Sequence, residues 1–440
     1  MTQSDLAAVV MAGGFGTRMR SELPKHLHPL LGRRIIDWIL EAVRGLEPNP
    51  LVVVASPATK DRFEGVEVAV QAVPRGTGDA LASARDLLAG RARSLLVLSG
   101  DTPLLTSELL GELVAAHRRS DARATLLSFC PPDPRSYGRI VRDDAGRLLA
   151  VVEVGDATPG VLALSEVNSS VYVFEAEALW PALDRLRPAN AQAELQLTDA
   201  IRVLADQGQA IAAHVASDPA ELEGVNTRVE LAAAAGTLRA RINERHMLAG
   251  VTIVDPGSTW IEPEVLLEPD SVVHPFTLLR GRTHVGAGAE IGPHAVAIDA
   301  TIGESAIVGP FCYLRPGTVL EDRAKAGTFV EIKNSHVGED SKVPHLSYIG
   351  DAEIGSGTNI GAGAITANYR PELGPGKQRT KIGKNVHTAS HNVFLAPVEI
   401  GDDAVIGAGS VITDDVPAEA LAIARARQVN KEGYARRRHH

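Results

Sequence analysis

The spacing of apolar residues changes character part-way along the chain. Up to about residue 225, short apolar runs alternate with amphipathic stretches. Leu6–Met11 (LAAVVM), Leu51–Ala55, Leu95–Leu98 and Ala210–Val215 read as strands, while Ile35–Leu46 and Gly78–Ala89 read as helices. Such alternation predicts a doubly wound, Rossmann-like α/β sheet with helices on both faces. Thr227–Leu248 is rich in Ala, Leu, Arg and Glu, has no Pro and a single Gly, and predicts one long helix. The expected organisation is therefore a first domain over 1–225, a linker helix over 226–248 and a second domain over 249–440.

Beyond the helix the period becomes six. An aliphatic residue followed by glycine returns at Val285-Gly286, Ile291-Gly292, Ile302-Gly303, Val308-Gly309 and onward to Ile400-Gly401 and Ile406-Gly407. A hexapeptide period marks a parallel β-helix, whose coils each bury an inner face on the next. In this reading the aliphatic side chain points inward and the small residue turns the corner beside it. The pattern begins weakly near Val251. Two interruptions are expected, at Leu314–Asn334 and at the polar, Pro/Gly-rich Ala367–Thr380, which must leave the coil as a loop.

Composition narrows the classes. The 44 Lys and Arg against 54 Asp and Glu leave a net charge of −10, which disfavours non-specific nucleic-acid binding. No apolar run approaches the ~18 residues of a membrane span, and the first ten residues lack the basic start of a signal peptide. Cys130 and Cys312 lie in different halves and suggest no disulfide framework. A cytoplasmic protein without membrane or nucleic-acid partners is expected.

The first candidate chemistry follows the first strand, in Ala12-Gly13-Gly14-Phe15-Gly16-Thr17-Arg18. A glycine-rich turn after a strand lets backbone N–H groups approach a phosphate. Met19 breaks the dinucleotide fingerprint, and no Gly-Lys-Ser/Thr follows, so this is no P-loop. Asp101, in Gly100-Asp101-Thr102-Pro103 after a strand, and Asn226, at the start of the long helix, could each be a simple turn or capping residue. With Pro24-Lys25 added, the loop resembles that of the sugar-1-phosphate nucleotidylyltransferases.

That resemblance implies that Arg18 and Lys25 hold the triphosphate and that Asp101 and Asn226 (in Glu223-Gly224-Val225-Asn226) bind Mg²⁺. It implies further that Ala12, Gly13, Gly14, Gln71, Gly76 and Thr77 receive UTP, and that Gly138, Glu153 and Asn168 contact N-acetylglucosamine. Two departures stand out. Val154-Gly155-Asp156 replaces the usual charged pair before Asp, and Asn168-Ser169-Ser170 replaces the usual Asn-Thr-Gly.

The repeat half resembles the acetyltransferase domain of the bifunctional N-acetylglucosamine-1-phosphate uridyltransferase / glucosamine-1-phosphate acetyltransferase family, and the likeness covers both halves in the same order. It implies a left-handed β-helix, a homotrimer, and His345 as general base, since a neutral imidazole can take the proton of an attacking amine. Arg315 and Lys333 would bind the phosphate of glucosamine-1-phosphate, with Tyr348, Asn359 and Lys377 on the same sugar. Ala362, Asn368, Tyr369, Ser390, Ala408 and Arg425 would line the acetyl-CoA site. His387 and His391 match no role. The expected function is a bifunctional synthesis of UDP-N-acetylglucosamine from glucosamine-1-phosphate, acetyl-CoA and UTP by way of N-acetylglucosamine-1-phosphate. The alternatives are a nucleotidylyltransferase with a structural or regulatory coil, and a coil that serves only as a trimerising platform.

Overall fold

The strand predicted at Leu6–Met11 lies inside a longer one, Ser4–Ala12 (β1), at the middle of a nine-stranded sheet. The computed structural model describes residues 4–436 except Phe15 and Arg135. They form two compact units, divided between Leu238 and Arg239. The other strands of this sheet are Leu51–Ala55 (β2), Glu67–Val70 (β3), Ala92–Ser99 (β4), Ala124–Phe129 (β5), Arg139–Arg142 (β6), Leu148–Val152 (β7), Val167–Glu175 (β8) and Ile211–Val215 (β9). Their order is β9-β5-β8-β4-β1-β2-β3, with the β6–β7 hairpin attached to β8. β8 runs antiparallel to both its neighbours β4 and β5.

Alternation along β1 explains why the sheet needs cover on both sides. Ala7, Val9 and Met11 enter one core, which includes residues of the helices Thr77–Ala82, Ala176–Leu183 and Leu197–Asp206. Leu6, Ala8, Val10 and Ala12 enter the other, with residues of Ile35–Arg44 and Ser107–Arg119. The single helix expected over Gly78–Ala89 is instead two short ones, Thr77–Ala82 and Arg85–Leu88. At the break the Ser83 hydroxyl donates to the Asp79 carbonyl at 2.9 Å, sharing that acceptor with its own N–H at 3.0 Å, a back-bond of the kind that bends helices.

The second unit is a three-sided parallel β-helix with sheets of six, nine and eight short strands, the six-stranded face continuing in a further sheet of three. Val273 pairs with Ile291 and Leu279 with Ala297, 18 residues on, and Val285 pairs with Ile302, 17 residues on. Buried columns run down the inside, for example Leu279, Ala297, Leu314, Ile332 and Ile349.

Two sequence expectations change here. The coil does not break at Leu314–Asn334: Leu314, Leu320, Ala326 and Ile332 are six apart and all buried, and what is missing is the glycine after Leu314, Leu320 and Ile332, Gly327 still following Ala326. Nor do most of the repeat glycines turn corners. Gly286, Gly303, Gly338 and Gly355 are not left-handed; a Cβ on any of them would come within 2.6–2.8 Å of the next coil's backbone. The corners belong to residues such as Phe276, His294, Phe311 and Phe329, all at positive φ. The loop at Ala367–Thr380 does leave the coil, since Ile365 pairs with Val393 and Ile354 with Ile382, each 28 positions on.

The long helix runs from Arg228 to Leu248, and among the described residues no helix is long and apolar enough to cross a membrane. Its first turn is closed by Thr227 and Glu230: the Thr227 hydroxyl accepts from Glu230 N at 3.2 Å, and Glu230 Oε2 accepts from Thr227 N at 2.8 Å. Thr227→Ala is expected to cost about 1 kcal/mol, read as a lower midpoint in chemical denaturation.

Candidate active sites

β1 and β4 lie in register, Met11 beside Ser99, so the loops that follow them open at one end of the sheet. The order β3-β2-β1-β4 reverses direction between these strands, and ligands in open α/β sheets gather at such switch points. Gly100 N donates to Met11 O at 2.8 Å, and a Cβ on Gly100 would lie 2.8 Å from that same oxygen. Glycine thus lets the two loops touch. Val225 N then donates to Asp101 O at 2.8 Å and carries Asn226 to the same place.

Four residues distant in sequence meet there. Lys25 Nζ lies 2.5 Å from Asp101 Oδ2 and 2.9 Å from Asn226 Oδ1, and Arg18 Nη2 lies 3.0 Å from Asn226 Oδ1. Because Thr227 closes the helix, the Asn226 side chain is not its cap and faces the two cations instead. Burial by itself would raise the Asp101 carboxyl. The Lys25 charge, with hydrogen bonds from Lys25 and Ser99, holds it below the usual carboxylate range. Neighbouring His26 is pushed down to about 4 by burial and by the charges of Lys25 and Arg34, so its imidazole is neutral.

Among the described residues no three His, Cys, Asp or Glu side chains form a metal cluster. The donor set is one carboxylate and one amide oxygen, both hard, aimed at a point already held by a cationic nitrogen. That suits Mg²⁺, which takes one or two protein oxygens and completes its shell with water and phosphate.

A cavity of about 260 Å³ opens beside this cluster. Ala12, Gly13, Gly14, Gln71, Gly76 and Thr77 line it together with Lys25 and Asp101. Gln71 Nε2 donates to Gly76 O at 3.1 Å and to Asp79 Oδ2 at 2.9 Å, which fixes its amide. Gly76 stands at φ +115° with Leu195 O only 2.5 Å from where a Cβ would be. Hydrogen bonds from Leu195 N to Arg75 O and from Gly78 N to Leu195 O hold the Leu195 segment against the turn. Glu194 thereby joins the lining, and His26, next to Lys25, is part of it too. Sequence reading missed both, since neither sits in a motif.

Gly138, Glu153 and Asn168 form a second cluster. Asn168 N donates to Gly138 O at 2.9 Å, and Glu153 packs against Gly138 closely enough to crowd any added Cβ. Burial pushes the Glu153 carboxyl up, the Thr198 hydroxyl opposing it and Asp156 and Asp199 adding to it. The strand bulges between Asn168 and Val171, and Ser170 takes φ +63°. The glycine of the usual Asn-Thr-Gly adopts such a conformation without strain, whereas Ser170 bears it. Tyr137 joins this cluster to the first by accepting a hydrogen bond from Gly224 N at 3.2 Å.

On the β-helix, stacking sets the geometry. Tyr313, Glu331, Tyr348 and Ile365 are successive rungs of one sheet, and Arg315 N donates to Ile332 O, so Arg315 and Lys333 stand on adjacent coils. Arg315 Nη1 pairs with Glu331 Oε1 at 2.8 Å, a partner with no role in the sequence reading. Three residues before Tyr348, across a corner held by the Ser347 hydroxyl on His345 O (2.7 Å), is exposed His345. Lys342, Asn359, His387 and Val405 are aligned rungs, so His345, Ala362, Ser390 and Ala408, each three residues further on, share one edge of the prism. Arg425 packs beside Gly409. In the ejected loop Tyr369 pairs with Lys377, whose ammonium lies 4.1 Å from the Tyr369 ring centroid, and Asn368 Nδ2 reaches Tyr348 Oη at 3.3 Å.

Residues 8–195 match the family described as MobA-like NTP transferase domain, and residues 379–414 match the bacterial transferase hexapeptide of six repeats. The chain is 45% identical to the bifunctional protein GlmU of Mycolicibacterium vanbaalenii, an alignment covering 99% of this chain and 93% of the relative. It is 45% identical to that of Streptomyces griseus, covering 99% and 95%, and 43% identical to that of Mycobacterium tuberculosis, covering 99% and 93%. The chain belongs to the GlmU family. As in that family's two-part plan, a Rossmann-like nucleotidyltransferase sheet precedes a left-handed hexapeptide β-helix. Within this GlmU-family chain the Gly76 turn is one of the tightest points of the first site. Gly76→Ala is expected to lose about 2 kcal/mol or more of unfolding free energy, because a left-handed backbone and a backbone clash coincide; the denaturation midpoint reads it.

Proposed function

We infer that the protein makes UDP-N-acetylglucosamine in two steps, as a cytoplasmic enzyme whose residues 1–225 transfer uridylyl groups and whose residues 249–440 transfer acetyl groups, joined by the helix over 226–248. In the first step the amine of glucosamine-1-phosphate attacks the thioester carbonyl of acetyl-CoA. His345 takes the amine proton, the acetyl group passes to nitrogen, and the coenzyme leaves as a thiol. Arg315 and Lys333 hold the sugar phosphate, with Tyr348, Asn359 and Lys377 around the ring. Ser390 stands on the His345 edge, where its hydroxyl can meet the developing oxyanion. Ala362, Asn368, Tyr369, Ala408 and Arg425 receive the coenzyme.

In the second step a phosphate oxygen of N-acetylglucosamine-1-phosphate attacks the α-phosphorus of UTP in line, and pyrophosphate leaves. Arg18 and Lys25 neutralise the triphosphate. Gln71, Gly76 and Thr77 receive uracil, and Gly138, Glu153 and Asn168 the sugar. Asp101 and Asn226 would hold Mg²⁺, which supplies charge neutralisation of the phosphates.

One observation carries the two-site reading. A second pair of cations, Arg315 and Lys333, stands on neighbouring coils, with Lys333 in register with Gly350 five residues after His345, which a coil serving only as scaffold has no reason to assemble. We further infer a homotrimer joined along the β-helix. Phe276, His294, Phe311 and Phe329 stack with centroids 4.7, 4.8 and 5.2 Å apart down one edge. The three phenylalanines and Leu346, at the next corner beside His345, are all exposed, which gives a continuous apolar stripe that a second copy would cover.

His345→Ala is expected to cut thiol release from acetyl-CoA by about 10²–10⁴-fold while pyrophosphate release from UTP persists, and Asp101→Ala to do the reverse. Loss of both activities in either variant would sink the two-site reading. Phe311→Glu is expected to shift the sedimenting species from trimer to monomer, and an unchanged trimer would remove the stripe from the interface.

A further inference from the structure

Asp351 entered none of the site assignments above, yet it is the most heavily engaged carboxylate near them. Its side chain is 9% exposed and its backbone is left-handed at φ +52°. Oδ1 accepts from Asn334 Nδ2 at 2.6 Å and Oδ2 from Asn368 Nδ2 at 2.5 Å. Lys333 Nζ stands 3.9 Å from Oδ2. The backbone is engaged too: Asp351 N donates to Lys333 O at 3.0 Å, and Asp351 O accepts from Thr380 N at 3.2 Å. Asn368 and Thr380 are the residues where the ejected loop departs and returns, and Gln378 N closes its neck on Asn368 O at 2.8 Å.

We propose that Asp351 is a positioning residue for acetyl transfer, a buried carboxylate that aims Lys333 at the sugar phosphate and ties down both ends of the loop bearing Tyr369 and Lys377. The inference rests on the acetyl-transfer reading above. A buried carboxylate is tolerated only when its oxygens are satisfied, and here two amides do that without adding charge. The charge itself remains to act on Lys333. At 3.9 Å the ammonium is drawn toward Asp351 but keeps its N–H donors for another anion, unlike Arg315, which is directly bonded to Glu331 at 2.8 Å. The same Asn368 amide also reaches Tyr348 Oη, so one carboxylate links the lysine, the tyrosine and the loop.

Asp351→Asn removes the charge and turns a donor toward amides that need an acceptor. We expect the KM for glucosamine-1-phosphate in acetyl transfer to rise at least tenfold, while uridylyl transfer by the same preparation is unchanged and reports an intact first unit. Asn334→Gly, which suits the φ of +45° there, frees Oδ1 alone and is expected to raise the same KM by a smaller factor. If Asp351→Asn does not fold, Asn334→Gly decides. An unchanged KM in the variants, with or without a lower melting temperature, overturns the proposal by reducing Asp351 to a structural residue. Absence of acetyl transfer in the wild type would instead overturn the reading on which it rests.

Discussion

Coils of the second unit approach one another so closely that, at most positions along one edge, only backbone fits between them. At Gly286, Gly303, Gly338, Gly355 and Gly401 any side chain would strike a backbone atom of the following coil at 2.4–2.8 Å. Such spacing allows no slippage, and a slipped register would send the inward aliphatic residues into solvent. Everything chemical in this half follows from it. With 17 or 18 residues per coil, side chains far apart in sequence become neighbours in a column, so Arg315 meets Lys333, and His345 shares an edge with Ser390 and Ala408.

The first unit assembles its site by a different route to a similar electrostatic end. Two strand ends and a returning segment bring Arg18, Lys25, Asp101 and Asn226 together, with Gly100 permitting the contact. In both halves a partly buried lysine faces a carboxylate, but at different distances. Lys25 is hydrogen-bonded to Asp101 at 2.5 Å, so any new partner for its ammonium must compete with that bond. Lys333 is only drawn toward Asp351 at 3.9 Å. One cation is held in reserve by its acid; the other is aimed by it.

Much of this could be read before any coordinates. The strand–glycine-loop start, the hexapeptide period and the ejected loop follow from short-range patterns, and each acts locally through burial or turn geometry. What escaped was long-range or subtle. No local signal says that Asp351 bonds Asn334 and Asn368, that Glu331 holds Arg315, or that the Leu195 segment closes on Gly76. The glycines were recognised but given the wrong reason, because sequence cannot separate a residue that must turn from one that must let another backbone pass. The apparent break at Leu314–Asn334 has the same origin: the inward apolar residues keep their period where Leu314, Leu320 and Ile332 lack a following glycine. That Thr227, and not Asn226, closes the long helix is likewise beyond local pattern.

The loop leaving the coil between Ala367 and Thr380 adds ten residues to an 18-residue step, and pairing resumes on the far side with Val393 and Ile382. Because the coils above and below keep their alignment, the excursion disturbs nothing beyond its own two anchor points. A scaffold with that property can lengthen, shorten or rewrite one segment without renegotiating the rest. Divergence among such proteins should therefore accumulate as changes in the decoration of single turns, with the prism beneath inherited whole.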